Sequence, residues 1–168
     1  MKYYWHYNYP IGAVYIAEND GHIAGLYFSG DKKQKRQKNL FEKELSGFAL
    51  NESPLIKKAS KQLDEYFSGR RRAFDLPLRF EGTGFQKQVW EALMTIPYGE
   101  TRSYGQVAAQ IGNPKAGRAI GMANNRNPIS IICPCHRVIG SDGSLVGYGG
   151  GLKNKKYLLD LEAANRDA

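Results

Sequence analysis

The hydrophobic positions of this chain follow two different periods, a strand-like one over residues 1–30 and a helical one that first appears after Ser53. In residues 1–30 they recur every second position: Tyr3, Trp5 and Tyr7 alternate with polar neighbours, the signature of a half-buried strand. Val14-Tyr15-Ile16-Ala17 and Ile23-Ala24-Gly25-Leu26-Tyr27-Phe28 flank Glu18-Asn19-Asp20-Gly21, which predicts a hairpin. Residues 31–50 read as a charged helix or loop. From Ser53 the period changes. Ser53 is a candidate N-cap, Pro54 suits the first helical position, and Leu55, Ile56, Ala59, Leu63, Tyr66 and Phe67 recur at helical spacing until Gly69.

The stretch from Arg70 to Gly84 holds Pro77, Gly82 and Gly84 and reads as a boundary between small domains. Beyond it the pattern is mostly helical. Phe85, Val89, Trp90, Leu93 and Ile96 predict an amphipathic helix stopped by Pro97 and Gly99. Ser103 can cap a second helix bearing Val107, Ala108 and Ile111, which Gly112 closes. Asn113-Pro114 predicts a third, with Asn as N-cap and Pro at its first position. Two short helices joined by a tight glycine turn are the sequence form of a helix-turn-helix. Asp142-Gly143 marks a turn, and Tyr148-Gly149-Gly150-Gly151 a flexible loop. A terminal helix is predicted over Leu152 to Ala164, with Tyr157, Leu158 and Leu161 inward.

The third helix carries Ala116, Gly117, Ala119 and Gly121 among Lys115, Arg118, Ile120 and Met122. Glycine inside a helix costs roughly 1 kcal/mol against alanine, so two of them call for a close approach to another surface. Ile120 and Met122 are the candidate core contacts. A smooth face with two cations three residues apart suits a narrow nucleic-acid groove, and close packing on the first helix is the competing explanation.

Composition narrows the class. A hydrophobic share of 42% and a charged share of 24% fit a globular domain, and 168 residues allow one ordinary domain or two small ones. No apolar run nears the ~18 residues a bilayer span needs, and Met1-Lys2-Tyr3-Tyr4-Trp5-His6 lacks the apolar core of a signal peptide. No membrane association is expected. The two cysteines, Cys133 and Cys135, are one residue apart and form no disulfide framework, so a reducing cytoplasm, as of a prokaryote, is the expected home. The net charge of +8 favours a polyanionic partner. The run Lys32-Lys33-Gln34-Lys35-Arg36-Gln37-Lys38 and the triplet Arg70-Arg71-Arg72 read as solvated surface.

Candidate chemistry gathers at Pro134-Cys135-His136-Arg137-Val138-Ile139, directly after the apolar run Ile129-Ser130-Ile131-Ile132. A thiol reacts as its thiolate, and a free cysteine with pKa ~8.5 is only slightly ionised at neutrality. A neighbouring base raises that fraction. The alternative is a small buried hydrophobe beside an unrelated histidine. Adjacent strand residues face opposite ways, so Cys135 and His136 cooperate only if the strand ends at Pro134 and a turn begins. Glu162 on the terminal helix is the leading acid to orient His136. Cys133, Cys135 and His136 are too few and too irregular for a structural zinc site, and no metal is expected. Cys133 reads as core packing.

These residues carry a resemblance. Pro134-Cys135-His136-Arg137-Val138, Phe85-Gln86-Lys87-Gln88-Val89-Trp90, Ile96-Pro97-Tyr98-Gly99-Glu100-Thr101, Ser103-Tyr104, Gly112-Asn113-Pro114-Lys115-Ala116, Asn127-Pro128 and Gly149-Gly150-Gly151-Leu152 resemble the O6-alkylguanine-DNA alkyltransferases. The likeness is strong over residues 80–164 and weak before residue 75. It implies an α+β protein with a ribonuclease-H-like N-terminal αβ domain, antiparallel sheet plus helix, over residues 1–78. A mainly helical winged helix-turn-helix domain over residues 79–168 would bind DNA and accept the alkyl group.

The resemblance further implies a monomer that binds duplex DNA containing O6-alkylguanine through the minor groove. Arg118 enters the base stack as the damaged guanine rotates out, and Thr101, Ser103, Lys115, Ala116 and Arg137 contact the DNA. Cys135 attacks the alkyl carbon, and His136 activates the thiol through a water while Glu162 orients it. Asn127 braces the turn, Tyr104 donates to the guanine, and Val138, Tyr148, Gly149 and Gly150 shape the base pocket. A thioether product is a poor electrophile, so each molecule acts once, and no cofactor is implied. Two other readings stand beside this one. One is a noncatalytic lesion-binding relative, which would lack the reactive cysteine. The other is a cysteine hydrolase using Cys135 and His136.

Overall fold

The computed structural model describes residues 1–28, 43–148 and 151–167. The run Lys32–Lys38 and the pocket candidates Gly149 and Gly150 lie outside them. The chain separates into two compact units, Met1–Phe80 and Glu81–Ala168.

Among the described residues, the first unit is a four-stranded sheet with the helix Pro54–Phe67 packed on it. Strands β1 (Lys2–Tyr9), β2 (Gly12–Asn19) and β3 (His22–Phe28) form an antiparallel meander. The β2–β3 connection is the expected hairpin. Asp20 and Gly21 have φ of 47° and 80°, the paired positive values that a two-residue turn needs to match strand twist. A fourth strand, β4 (Ala49–Leu50), lies parallel to β1, in the order β3-β2-β1-β4. The sheet is therefore mixed rather than purely antiparallel.

Helix α1 (Pro54–Phe67) starts as its sequence signals, with the Ser53 side chain accepting from the Ile56 N–H and Pro54 in the first turn. Its buried residues Ile56, Ala59, Leu63 and Tyr66 complete a core with Val14, Ile16, Ile23 and Leu26 from the sheet. Each large aliphatic side chain so buried contributes roughly 1.5–3 kcal/mol.

The second unit is mainly helical. Helix α2 (Gly84–Leu93) opens with a reciprocal capping box between Thr83 and Gln86, and α3 (Tyr104–Gln110) with one between Ser103 and Gln106. Trp90 of α2 is buried, and its indole N–H donates to the Ala123 carbonyl of α4 (Gly117–Asn125). Gly82 makes room for it, because a Cβ there would stand 2.6 Å from the Trp90 ring. Two short strands, β5 (Arg102–Ser103) and β6 (Val138–Ile139), pair in parallel. Helix α5 (Leu152–Asn165) follows near the C-terminus.

Three local expectations need correction. Asn113 does not cap the third helix, which begins at Gly117 with Ala116 at the N-cap and no side-chain cap bond. Gly112, at φ 80°, ends α3 instead. The Gly112 N–H donates to the Ala109 carbonyl and the Asn113 N–H to Ala108, a six-residue helix terminator that uses Asn113 up. Pro114 then sits in a separate turn closed by Ala116 N–H to Asn113 O. Second, Met122 is not a core contact: it is 61% exposed while Ile120 is fully buried. Third, α5 is rotated from the expected register. Its buried face is Lys155, Leu158 and Glu162, Leu161 is half-buried, and Tyr157 is exposed.

Candidate active site

The apolar run enters the site under strain. Ile131 has φ 71°, a left-handed conformation that costs a β-branched residue about 1–3 kcal/mol. Asn127 braces this stretch at both ends. Its Nδ2 donates to the Cys133 carbonyl at 2.8 Å, and its Oδ1 accepts from the Ile129 N–H at 3.0 Å.

Pro134 then ends the extended chain. At φ −81° and ψ 63° it forms a tight three-residue turn, in which the Cys135 N–H donates to the Cys133 carbonyl at 2.8 Å. Cys135–Arg137 follow as one turn of 3-10 helix. Successive side chains now fan round a helix instead of alternating, so the thiol and imidazole belong to one turn, as cooperation requires. The Cys135 carbonyl is held by Asn124 Nδ2 at 3.3 Å.

His136 is fully buried, and its Nε2 lies 2.6 Å from Glu162 Oε2. Glu162 also accepts from Arg137 Nε at 2.7 Å and Nη2 at 3.2 Å, and from the Gly99 N–H at 3.3 Å. Burial would raise this carboxyl's pKa, but the bonds from His136 and Arg137 outweigh it and hold it well below the usual range. Burial lowers the His136 pKa, and Glu162 opposes this only in part. The histidine is therefore neutral with its proton on Nε2, because a carboxylate can only accept. Nδ1, buried and without a hydrogen-bond partner among the described residues, is left with an open lone pair, as a base requires.

Cys135 is 3% exposed, and burial pushes its thiol up, opposed by Asn127, Lys155 and Ser130. The sulfur rests as a thiol, so neighbouring residues do not pre-ionise it and the proton must leave during reaction. Tyr148, nearly buried, lies against the sulfur, and burial followed by the Cys135 charge keeps its phenol neutral. Val138 is buried beside the turn. Tyr104, half-buried, donates to the Val146 carbonyl at 2.8 Å, and its pKa is raised by burial and then by Cys135.

The structure thus brings Cys135, His136, Glu162, Asn127, Tyr104, Val138 and Tyr148 into one neighbourhood. Arg137 does not belong with the DNA contacts. It is 7% exposed, clamps Glu162, and donates Nη1 to the Ile96 carbonyl at 2.7 Å. Cys133 is core, its thiol directed at the Trp90 carbonyl. On the helix-turn-helix, Thr101, Lys115 and Arg118 are exposed and Ala116 is half-buried. The Ser103 hydroxyl accepts from the Gln106 N–H as the cap of α3. Two residues went unnoticed in the sequence, Asn124 and Lys155. Both are buried polar groups inside helices, where hydropathy assigns them to the surface.

Family comparison decides what this arrangement belongs to. Residues 84–164 match the model described as 6-O-methylguanine DNA methyltransferase, DNA binding domain, and residues 2–80 the corresponding ribonuclease-like domain. The chain belongs to the 6-O-methylguanine DNA methyltransferase family. Among relatives named methylated-DNA–protein-cysteine methyltransferase, that of Methanosarcina barkeri is 49% identical over 93% of this chain and 94% of its own length. The constitutive protein of Bacillus subtilis is 44% identical over 96% of each. The crystal structure of Mycobacterium tuberculosis O6-methylguanine methyltransferase superposes with a TM-score of 0.86 at 43% identity, covering 98% of this chain and 94% of that one. A second structure of the Mycobacterium tuberculosis protein, in complex with DNA, superposes at 0.84, covering 97% of this chain and 94% of that one. Among the described residues of this methyltransferase-family chain, no cluster of three or more His, Cys, Asp or Glu could hold a metal. No helix among them is long and apolar enough to cross a membrane.

Proposed function

We propose that this chain repairs O6-alkylguanine in duplex DNA by moving the alkyl group onto the sulfur of Cys135, once per molecule. Alkyl transfer from DNA to a protein cysteine is the activity of its family. The single observation that carries the assignment to Cys135 is that His136, on the same turn, is paired with the buried Glu162 of α5 while its Nδ1 has no partner among the described residues. A carboxylate that fixes the Nε2–H tautomer makes Nδ1 the proton acceptor. The thiol proton passes to Nδ1 through one water, the sulfur attacks the alkyl carbon, and the carbon–O6 bond breaks. The departing guanine takes up negative charge and is reprotonated, with the Tyr104 phenol as donor once it leaves the Val146 carbonyl. The thioether product has no leaving group suited to a second displacement, so the protein does not turn over.

The exposed cations Lys115 and Arg118 on and before α4 support DNA binding through this face. Arg118 fills the space left when the guanine is extruded, offsetting part of an unstacking cost of a few kcal/mol. The intact Cys135 and the family's activity weigh against a noncatalytic lesion binder and against a hydrolase.

The test is intact-mass analysis after incubation with duplex DNA carrying O6-methylguanine. A gain of one methylene unit in the peptide holding Cys135 is expected. An unchanged mass, or modification of another residue, overturns the assignment.

A further inference from the structure

Helix α5 holds a residue that the proposed chemistry does not yet use. Lys155 is 0% exposed, among the largest fully buried side chains of the chain. Its Nζ donates to the Val138 carbonyl at 2.5 Å and to the Val146 carbonyl at 3.1 Å. The Val146 carbonyl is the one that also accepts from the Tyr104 hydroxyl. One ammonium thus ties the strand that follows the Cys135 turn to the loop that anchors Tyr104. A methionine of similar length would pack there without the desolvation penalty of a buried cation, which must be met by carbonyls or an anion. No carboxylate of the described residues forms an ion pair with Lys155, and Glu162, about two turns further along the same buried face of α5, is engaged by His136 and Arg137.

The remaining candidate for that anion is the sulfur. Besides Lys155, the titratable and charged groups around it are Cys133 on the preceding segment, His136 and Arg137 on its own turn, Tyr104 from α3, Tyr148 from the loop, and Glu162 from α5. Burial keeps Cys133, Tyr104 and Tyr148 neutral, and His136 is neutral on Glu162. Arg137 and Glu162 neutralise each other. Among the described residues Lys155 is left as the cation whose charge acts on the thiol, its Nζ held at the Val138 carbonyl three residues after Cys135. Burial pushes the thiol's pKa up and that of Lys155 down, and each charge opposes the shift of the other: Lys155 favours the thiolate and the thiolate favours the ammonium.

We propose that Lys155 is a positioning residue for the transfer, its buried ammonium serving as counter-charge to the Cys135 thiolate as it forms while pinning the pocket wall at Val138 and Val146. The inference rests on Cys135 being the acceptor, and the experiment separates the two. In Lys155→Met, the single-turnover rate of methyl transfer from an O6-methylguanine duplex at pH 7 should fall about tenfold, and the rise of rate with pH should move about one unit alkaline. Iodoacetamide labelling of Cys135 without DNA should shift in parallel, and it reports on Lys155 even if the methyl group were found on another residue. A loss uniform across pH, or no loss, would reduce Lys155 to a packing role and overturn the proposal. Should Lys155→Met not fold, the wild-type protein decides. Its Lys155 Nζ NMR resonance should step as Cys135 titrates and lose that step once the sulfur is methylated, and an unresponsive resonance overturns the proposal equally.

Discussion

Replacing Glu162 by Gln tests the core of the chemistry with almost no change of shape. The carboxylate accepts hydrogen bonds from His136 Nε2, from two nitrogens of Arg137 and from the Gly99 N–H. A glutamine offers one accepting oxygen and turns an NH2 group toward the remaining donors. If the amide faces His136, the imidazole must move its proton from Nε2 to Nδ1, and the base is lost. General-base assistance is worth ~10²–10⁴-fold, so the single-turnover rate should fall by at least about a hundredfold. Arg137, 7% exposed, also loses its counter-charge. Breaking a buried pair from one side costs about 3–5 kcal/mol, which chemical denaturation would read directly.

The pH dependence follows from the same groups. The Glu162 pKa is depressed on folding, so its contribution is present above the unfolded value of ~4.3 and is lost as pH falls below it. His136 is depressed as well, so the unfolded chain gains a proton first and stability declines as pH falls through ~6.5. Glu162→Gln should flatten the acid part of this decline. A variant with transfer within threefold of wild type and an unchanged acid limb would refute the dyad argument.

Other substitutions separate the remaining roles. Cys135→Ala should abolish methyl transfer yet leave binding to an O6-methylguanine duplex intact by gel shift; persistent transfer would put the acceptor elsewhere. Arg118→Ala should slow repair in duplexes more than attack on the free alkylated base, and equal losses would remove its extrusion role. Arg137→Met should lower stability by about 3 kcal/mol without changing the salt dependence of DNA binding, since each lost phosphate contact would reduce the log–log slope by ~0.9. Tyr104→Phe should cost transfer about 10-fold or more while the fold persists, measured against circular dichroism.

What could be read from the chain was whatever local chemistry decides. Ser53, Thr83 and Ser103 each sit before a helical run, and Ser53 and Ser103 were legible as caps because capping is satisfied within four residues. Asn113 failed for the same reason in reverse, since two signals overlapped and the terminator at Gly112 used the residue first. The short parallel strand β4 has only two residues and no periodicity to detect. The site divides along a similar line. Cys135 and His136 were visible as neighbours, and Pro134 announced the turn that lets them cooperate.

Arg137 and Lys155 were illegible because a cation reads as surface until its tertiary partner is known. That partner is a carboxylate 25 residues away for Arg137 and two carbonyls for Lys155. Arg137 lies on the sulfur's own turn and Lys155 on α5, the helix packed on it. The core there is therefore an electrostatic frame more than a hydrophobic one. A thiol held neutral at rest by burial needs charge nearby that is already paid for by folding, so that ionisation at the moment of attack costs no reorganisation.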